Sequence, residues 1–202
     1  MACTACHGTQ GKAGPDGYYP RLAGKPAGYL YNQLRNFQEG RRHYTLMAGL
    51  LAPLGPDYLR DMATYFSELD IPYPPPARSS APAAVLERGK TLALRGDRTL
   101  GVPACVACHG NALTGVAPGA PGLLGLPRDY LNAQLGGWQT GQRKAHAPDC
   151  MADIARRLSA DDVNAATQWL SSQTLPASTK PAIQRPAALP GALTLPPCGS
   201  AS

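Results

Sequence analysis

The stretch CTACH, from Cys3 to His7, returns in the second half of the chain as CVACH, from Cys105 to His109. In each copy a histidine directly follows the second of two closely spaced cysteines. This is the attachment sequence of c-type haem, in which two thiols add across the porphyrin vinyl groups and the imidazole becomes an axial ligand of the iron. The motifs therefore predict two covalently bound haem c groups, held by Cys3, Cys6, His7, Cys105, Cys108 and His109.

Zinc and thiol redox chemistry are the rival interpretations of paired cysteines. A structural zinc ion usually takes four ligands, and two cysteine pairs could share one ion. The histidine in the same place in both copies, and the long separation of the copies, argue against a shared zinc. A thioredoxin-like redox pair requires a βαβ context, which the sequence does not contain.

Length and charge narrow the class of protein further. A chain of 202 residues suits two small domains. The formal net charge of +6 is not arranged as a basic stripe with aromatic residues, so nucleic acid is not an expected partner. No apolar run approaches the length of a membrane span, and at most peripheral membrane association is expected.

No secretory signal precedes the first motif, although c-type haem is attached outside the bacterial cytoplasmic membrane. We therefore expect a periplasmic protein whose leader has been removed. The three residues up to the first cysteine leave no room for a helix ahead of the first haem, so the first domain is expected to lack its leading helix.

The two halves repeat one another beyond the motifs. YLYNQLRNFQEG, from Tyr29 to Gly40, matches YLNAQLGGWQTG, from Tyr130 to Gly141, and both carry a helical stripe of apolar residues that ends at glycine. Terminal helices are predicted over about 56–69 and 160–171, an opening helix over about 83–94, and no strand. The predicted fold is all-α. It has a first domain over 1–70, a stiff proline-rich linker over 71–82, a second domain over 83–172 and a proline-rich tail over 173–202.

The second axial ligand of each iron is the next question, because electron-transfer cytochromes close that position with Met or a second His. Met47 and Met151 occupy equivalent places in the repeat and are the predicted ligands. His43 and His146 lie a few residues before them and compete. Met62 has no counterpart in the repeat and is interpreted as a core residue. Two closed His/Met irons predict electron carriage at high reduction potential rather than substrate chemistry.

Pro20 and Pro121 follow their histidines at a similar remove. A carbonyl at each proline could accept a hydrogen bond from the histidine Nδ1–H and fix the imidazole ring. A proline that only shapes the loop around the haem is the alternative.

Cys150 and Cys198 are left over once the haems are attached. In an oxidising compartment such a pair indicates a disulfide, which would tie the tail beside the second haem. Two free thiols, or Cys150 as an axial thiolate in place of Met151, are the alternatives. Docking of the tail on the second domain is also indicated by apolar residues near the chain end, Leu189, Leu193 and Leu195.

These segments resemble dihaem cytochrome c4, a family of two fused class I cytochrome c domains. The resemblance covers about residues 1–172 and is carried by CTACHG, CVACHG, YPRLAGKPAGYLYNQL, MAGLLAPL and DYLRDMATYF. It implies two tandem helical domains, each wrapped around one haem, with the haems facing each other across the domain interface. It further implies a periplasmic electron carrier, often toward a terminal oxidase. The cysteine beside Met151 and the long tail depart from the family pattern and suggest a c4-like relative.

Three functions are compatible with these motifs. The leading hypothesis is a dihaem carrier that moves electrons between a redox donor and an acceptor through two His/Met haems. The second is a dihaem electron-transfer subunit of a dehydrogenase complex. The third is a dihaem peroxidase-type enzyme, which would need an iron with an open or displaceable ligand.

Overall fold

A computed structural model describes residues 2–14, 17–187 and 191–200 of the chain. Most of the regular structure in these ranges is helical. The helices are α1 (Ala2–His7), α2 (Ala27–Gln38), α3 (Thr45–Leu51), α4 (Pro56–Glu68), α5 (Ala83–Leu94), α6 (Val106–His109), α7 (Arg128–Thr140), α8 (Cys150–Arg157) and α9 (Ala160–Ser172), with a 3-10 turn over Thr9–Gly11.

The expectation of no strand is wrong in one place. β1 (Gly115–Val116) and β2 (Ala120–Pro121) form a small antiparallel hairpin after the second motif. Each strand has two residues, which is too short to produce a period-two pattern in the sequence. The chain is therefore mostly, rather than entirely, helical.

The first half builds its core between α2 and α4. The apolar stripe predicted for α2 buries Leu30 and Phe37, and α4 buries Leu59 and Phe66. Pro56 begins α4 at the position where its missing N–H costs no hydrogen bond. Burial of these side chains supplies the main driving force for packing the two helices together.

The second half adds the opening helix α5, which crosses α9 at Gly89. No side chain fits at that position, because a Cβ on Gly89 would lie 2.0 Å from the carbonyl oxygen of Ala165. A capping box begins α9: the Ser159 hydroxyl accepts from the Asp162 N–H at 3.1 Å, and the Asp162 carboxylate accepts from the Ser159 N–H at 3.2 Å. The second core also contains Leu113, Leu124, Leu126, Leu131 and Leu170.

The segment over 71–82 is anchored to both halves. Arg21 of the first half donates to the carbonyl oxygens of Ile71 and Pro72, and its guanidinium lies 3.9 Å from the centre of the Tyr73 ring. The N–H of Ala77 donates to the Ser171 carbonyl in α9 at 3.3 Å. These contacts fix residues 71–77 against the two halves of the chain.

A repeated glutamine contact fastens α3 and α8, two short helices that the sequence did not reveal. The Gln38 amide donates to the carbonyls of Leu51 and Leu54, at 2.7 and 2.9 Å. In the second half the Gln139 amide donates in the same way to Ala155 and Leu158, at 3.0 and 2.9 Å. Each glutamine thereby ties the end of a short helix to the long helix before it, and the Leu51 and Ala155 carbonyls also accept from the backbone N–H groups of Leu54 and Leu158.

Candidate functional site

Both motif histidines end a short helix and are held in one orientation. His7 closes α1 and His109 closes α6, and both side chains are buried. Nδ1 of His7 lies 2.7 Å from the carbonyl oxygen of Pro20, and Nδ1 of His109 lies 2.7 Å from that of Pro121. Because Nδ1 carries the donated proton, the lone pair of Nε2 in each ring is left for a metal ion.

Burial also keeps these rings neutral. It lowers the pKa of His7 and of His109, and it outweighs the opposite effect of the proline carbonyls. Nearby cations lower the pKa further, Arg42 for His7 and Lys25 for His109. Neutral imidazole is the form that binds iron.

In each motif both cysteines come before the histidine in the chain, and neither is paired. None of the four is in a disulfide, and Cys6 is exposed. Burial raises the pKa of Cys105 to about 11 and also raises that of Cys108, so both are neutral thiols at pH 7. Thiols held apart in this way remain available for thioether bonds to a prosthetic group.

Met47 and Met151 lie on the short helices α3 and α8, both half-buried against apolar clusters. Met47 packs against Phe37, Leu51 and Leu59, and Met151 packs against the cluster that contains Trp138. In the first half, His7 and Met47 line the same cavity of about 1070 Å³, together with Cys3 and Cys6. A cavity of this size, with an imidazole, a thioether and two thiols in its wall, fits a haem c group.

The competing residues lie in different settings. The side chain of His43 is exposed and lines the same cavity, and only its backbone N–H donates to the Gln142 carbonyl, at 3.1 Å. Nε2 of His146 is 3.0 Å from the Arg41 guanidinium, which occupies that nitrogen as an acceptor. Met62 also lines the cavity, beside Met47 in the same apolar cluster.

The two halves meet at a short antiparallel backbone pairing that joins Arg42 to Arg143, residues at matching positions of the repeat. The N–H of His43 donates to the Gln142 carbonyl at 3.1 Å, and the N–H of Lys144 donates to the Arg41 carbonyl at 2.7 Å. Sequence reasoning missed this contact, although the alignment of the two halves already placed the two arginines opposite each other.

The side chains at this junction concentrate positive charge away from solvent. Arg143 is buried, with hydrogen bonds to Gln134 at 2.5 Å and Gln33 at 3.2 Å, and the half-buried Arg42 donates to the same two amides at 2.8 and 3.0 Å. No carboxylate among the described residues forms an ion pair with either arginine. Guanidinium groups withdrawn from water without a counter-charge are costly, so an anion is expected beside them.

A tyrosine at the junction reports the same positive field. Burial alone would raise the pKa of Tyr29, but Arg143, Arg42 and Lys25 together lower it to about 8. Arg143 also stacks 3.9 Å from the Trp138 ring centre, and the Trp138 indole N–H is buried with no hydrogen-bond partner among the described residues. Haem propionates would supply both the missing anion and the missing acceptor, so the residues present fit the group.

The two leftover cysteines are joined in the structure as Cys150–Cys198. This bond places the end of the tail at the start of α8, next to Met151. Of the tail leucines, Leu193 and Leu195 are partly buried and Leu189 lies outside the described residues.

Two covalent haem motifs with oriented imidazoles, each in its own helical half of the chain, define a dihaem c-type cytochrome. No family model matches the chain. The "Thiosulfate dehydrogenase electron acceptor" of Thiomonas intermedia is 41% identical over 174 residues, which cover 86% of this chain and 79% of that protein. Cytochrome c4 of Pseudomonas aeruginosa is 32% identical over 170 residues, covering 83% of this chain and 82% of that protein.

A solved structure agrees with these relatives. Reduced recombinant cytochrome c4 from Pseudomonas stutzeri superposes with a TM-score of 0.69 at 29% identity, covering 86% of this chain and 94% of that chain. The chain belongs to the cytochrome c4 family and carries two haem c groups. The family resemblance expected from the sequence is confirmed, as are the two-domain helical fold and the role as an electron carrier. In the described ranges, no helix has the length and apolar character needed to cross a membrane.

Proposed function

We propose that this cytochrome is the periplasmic electron acceptor of a thiosulfate dehydrogenase and passes its electrons on to a downstream oxidase. The observation that carries the proposal is the 41% identity, over most of both chains, to a protein named for that role. The disulfide between Cys150 and Cys198 supports an oxidising compartment such as the periplasm. A dehydrogenase partner is compatible with both of the first two hypotheses from the sequence, the free carrier and the dehydrogenase subunit, because the cytochrome can dock on the enzyme transiently or stay bound to it.

We propose His7 with Met47, and His109 with Met151, as the axial ligands of the two irons. His7 and Met47 line the same cavity, and Met151 occupies the equivalent place in the repeat. Haem c supplies a one-electron iron couple, and a thioether ligand favours its ferrous form. The carbonyls of Pro20 and Pro121 hold the imidazoles in one tautomer, which would leave Nε2 of each ring directed at the iron.

The arginines at the domain junction would neutralise the negative charge of the haem propionates. Arg42 and Arg143 would hold the propionates of both haems near each other and offset their negative charge. Their positive charge disfavours the more positive ferric iron relative to the ferrous iron, so it raises the reduction potential at both sites.

We also propose 1–70 and 83–172 as the two domains, with the linker at 71–82 and the tail at 173–202. Limited proteolysis that yields haem-bearing fragments of other lengths would contradict these boundaries.

The partner is tested by mixing the oxidised, haem-loaded cytochrome with a purified thiosulfate dehydrogenase and adding thiosulfate. We expect reduction of both haems, seen as sharpening of the visible absorption bands, and no reduction when thiosulfate is omitted. A cytochrome c4 that serves an oxidase and not this enzyme is the matched control and should be reduced more slowly. No enzyme-dependent reduction of this cytochrome would contradict the proposed partner.

The axial ligands are tested with Met47→Leu and Met151→Leu, each of which should remove about half of the weak red-edge band that marks an Fe(III)–S bond. Met62→Leu is the matched control, because Met62 lines the same cavity as Met47 but is not proposed as a ligand. If Met62→Leu removes the band and Met47→Leu does not, the assignment in the first domain is wrong.

A further inference from the structure

The tail of this chain touches the segment that orients the second imidazole. Ala182 pairs with strand β1: its N–H donates to the Gly115 carbonyl at 2.9 Å, and its own carbonyl accepts from the Ala117 N–H at 2.8 Å. Strand β2, paired with β1, contains Pro121, whose carbonyl holds His109. The tail therefore supports the imidazole side of the second haem site.

The same tail then reaches the methionine side. Cys198 is bonded to Cys150, the first residue of α8, and Met151 is the second. The Gly199 N–H donates to the Pro148 carbonyl at 2.9 Å. A Cβ on Gly199 would lie only 2.3 Å from the Ala147 carbonyl oxygen, so the tail backbone lies directly on the loop that leads into α8.

In the first domain, no disulfide among the described residues joins the methionine segment to another part of the chain, and the Tyr44 side chain instead hydrogen-bonds to Tyr18 and Tyr19. Leu46 precedes Met47 as Cys150 precedes Met151, and the Leu46 side chain is 66% exposed. Tyr44, the residue before α3, makes no side-chain capping hydrogen bond, whereas Asp149 accepts from the Ala152 N–H at the start of α8. Two equivalent methionine segments are thus held to different extents.

We infer that residues 182–187 and 191–200, which we call the strap, hold the methionine segment of the second domain against its iron, with Cys150 and Cys198 as positioning residues. The inference rests on the proposed assignment of Met151 as an axial ligand. A disulfide limits how far the two segments it joins can separate, so Met151 has fewer ways to leave the iron than Met47. The strap therefore makes loss of the methionine ligand rarer at the second haem than at the first.

The test measures how fast each methionine sulfur leaves its iron, in a protein whose other axial methionine has been replaced by leucine. In a Met47→Leu background the remaining red-edge band belongs to Met151, and its rate of loss on adding imidazole to the oxidised protein measures release of that sulfur. We expect the additional pair Cys150→Ser and Cys198→Ser to raise that rate about tenfold or more. The matched control is the same serine pair in a Met151→Leu background, where the band of Met47 should be lost at an unchanged rate.

A second measurement covers the case in which the serine variants do not mature. The disulfide of the folded Met47→Leu protein is opened with a phosphine, the thiols are alkylated with iodoacetamide, and the iron is reoxidised with ferricyanide before imidazole is added. Equal rates of sulfur release with the disulfide open and closed would overturn the role of the strap. Absence of any red-edge band in the Met47→Leu protein would instead overturn the ligand assignment, and the inference with it.

Discussion

Replacing Gly89 with alanine should separate the two helices that close the second domain. The added Cβ would lie 2.0 Å from the carbonyl oxygen of Ala165 and 2.7 Å from Cβ of Trp169, whereas ordinary contact begins at 3.4 Å. Because the nearest atom is backbone, it cannot rotate away, and α5 and α9 must move apart by more than ~1 Å. Overpacking of this kind costs about 1–3 kcal/mol and more when backbone must shift, against about 0.5–1 kcal/mol gained from alanine in a helix.

We therefore expect Gly89→Ala to lower the free energy of unfolding of the second domain by about 1–2 kcal/mol, which corresponds to a guanidinium midpoint about 0.5 M lower. Soret absorbance and circular dichroism follow the transition. Gly136→Ala is the control, since Gly136 lies in α7 with no atom within 4 Å of the added Cβ, and it should be neutral or slightly stabilising. Equal midpoints for the two variants would refute the close crossing of α5 and α9.

Three further predictions concern α9, its ion pairs and the glutamine contact. Ser159→Ala removes the capping hydroxyl and should lower the unfolding free energy by about 1 kcal/mol in a urea titration; no change would show that the cap is dispensable. Gln139→Leu removes the donor to the Leu158 carbonyl, while the Ala155 carbonyl keeps the Leu158 N–H, and it should cost about 1 kcal/mol in the same assay, an expectation contradicted by a variant as stable as the parent. Arg88 pairs with Asp97 at 2.8 Å and with Asp162 at 2.7 Å. The Thr99 hydroxyl and Arg88 lower the pKa of Asp97. Burial alone would raise the pKa of Asp162, but hydrogen bonds from the Ser159 hydroxyl and Arg88 lower it. That stability is present above the ordinary Asp pKa and lost as pH falls below about 4, so Arg88→Met should show a shallower loss of melting temperature between neutral and acid pH, and an identical slope would exclude the ion pairs as its source.

Elements with a strong local signal were predictable from the sequence. The stripe of α2 and its copy in α7, the proline at the start of α4 and the capping box of α9 are each encoded by a few neighbouring residues, and the structure has these helices within one or two residues of the expected bounds. The cysteine–histidine motifs identified the cofactor for the same reason, because covalent attachment demands that spacing.

Features that depend on tertiary contacts were not predictable in this way. The short helices α3 and α8 have too few residues for a periodic signal, and they are fastened by glutamines from other helices. The hairpin β1–β2 is likewise set by its surroundings. The junction of Arg42 with Arg143 brings together residues far apart in sequence, so only the repeat itself contained a hint of it.

That junction has a consequence for how the chain is put together. Arg42 and Arg143 are equivalent residues, and the two backbone hydrogen bonds beside them exchange equivalent atoms. Each domain therefore presents the same patch to the other, which is the self-complementary arrangement of a homodimer about a two-fold axis. Fusion into one polypeptide keeps the two copies at equal number and high local concentration, and a domain expressed alone would retain a surface that matches itself.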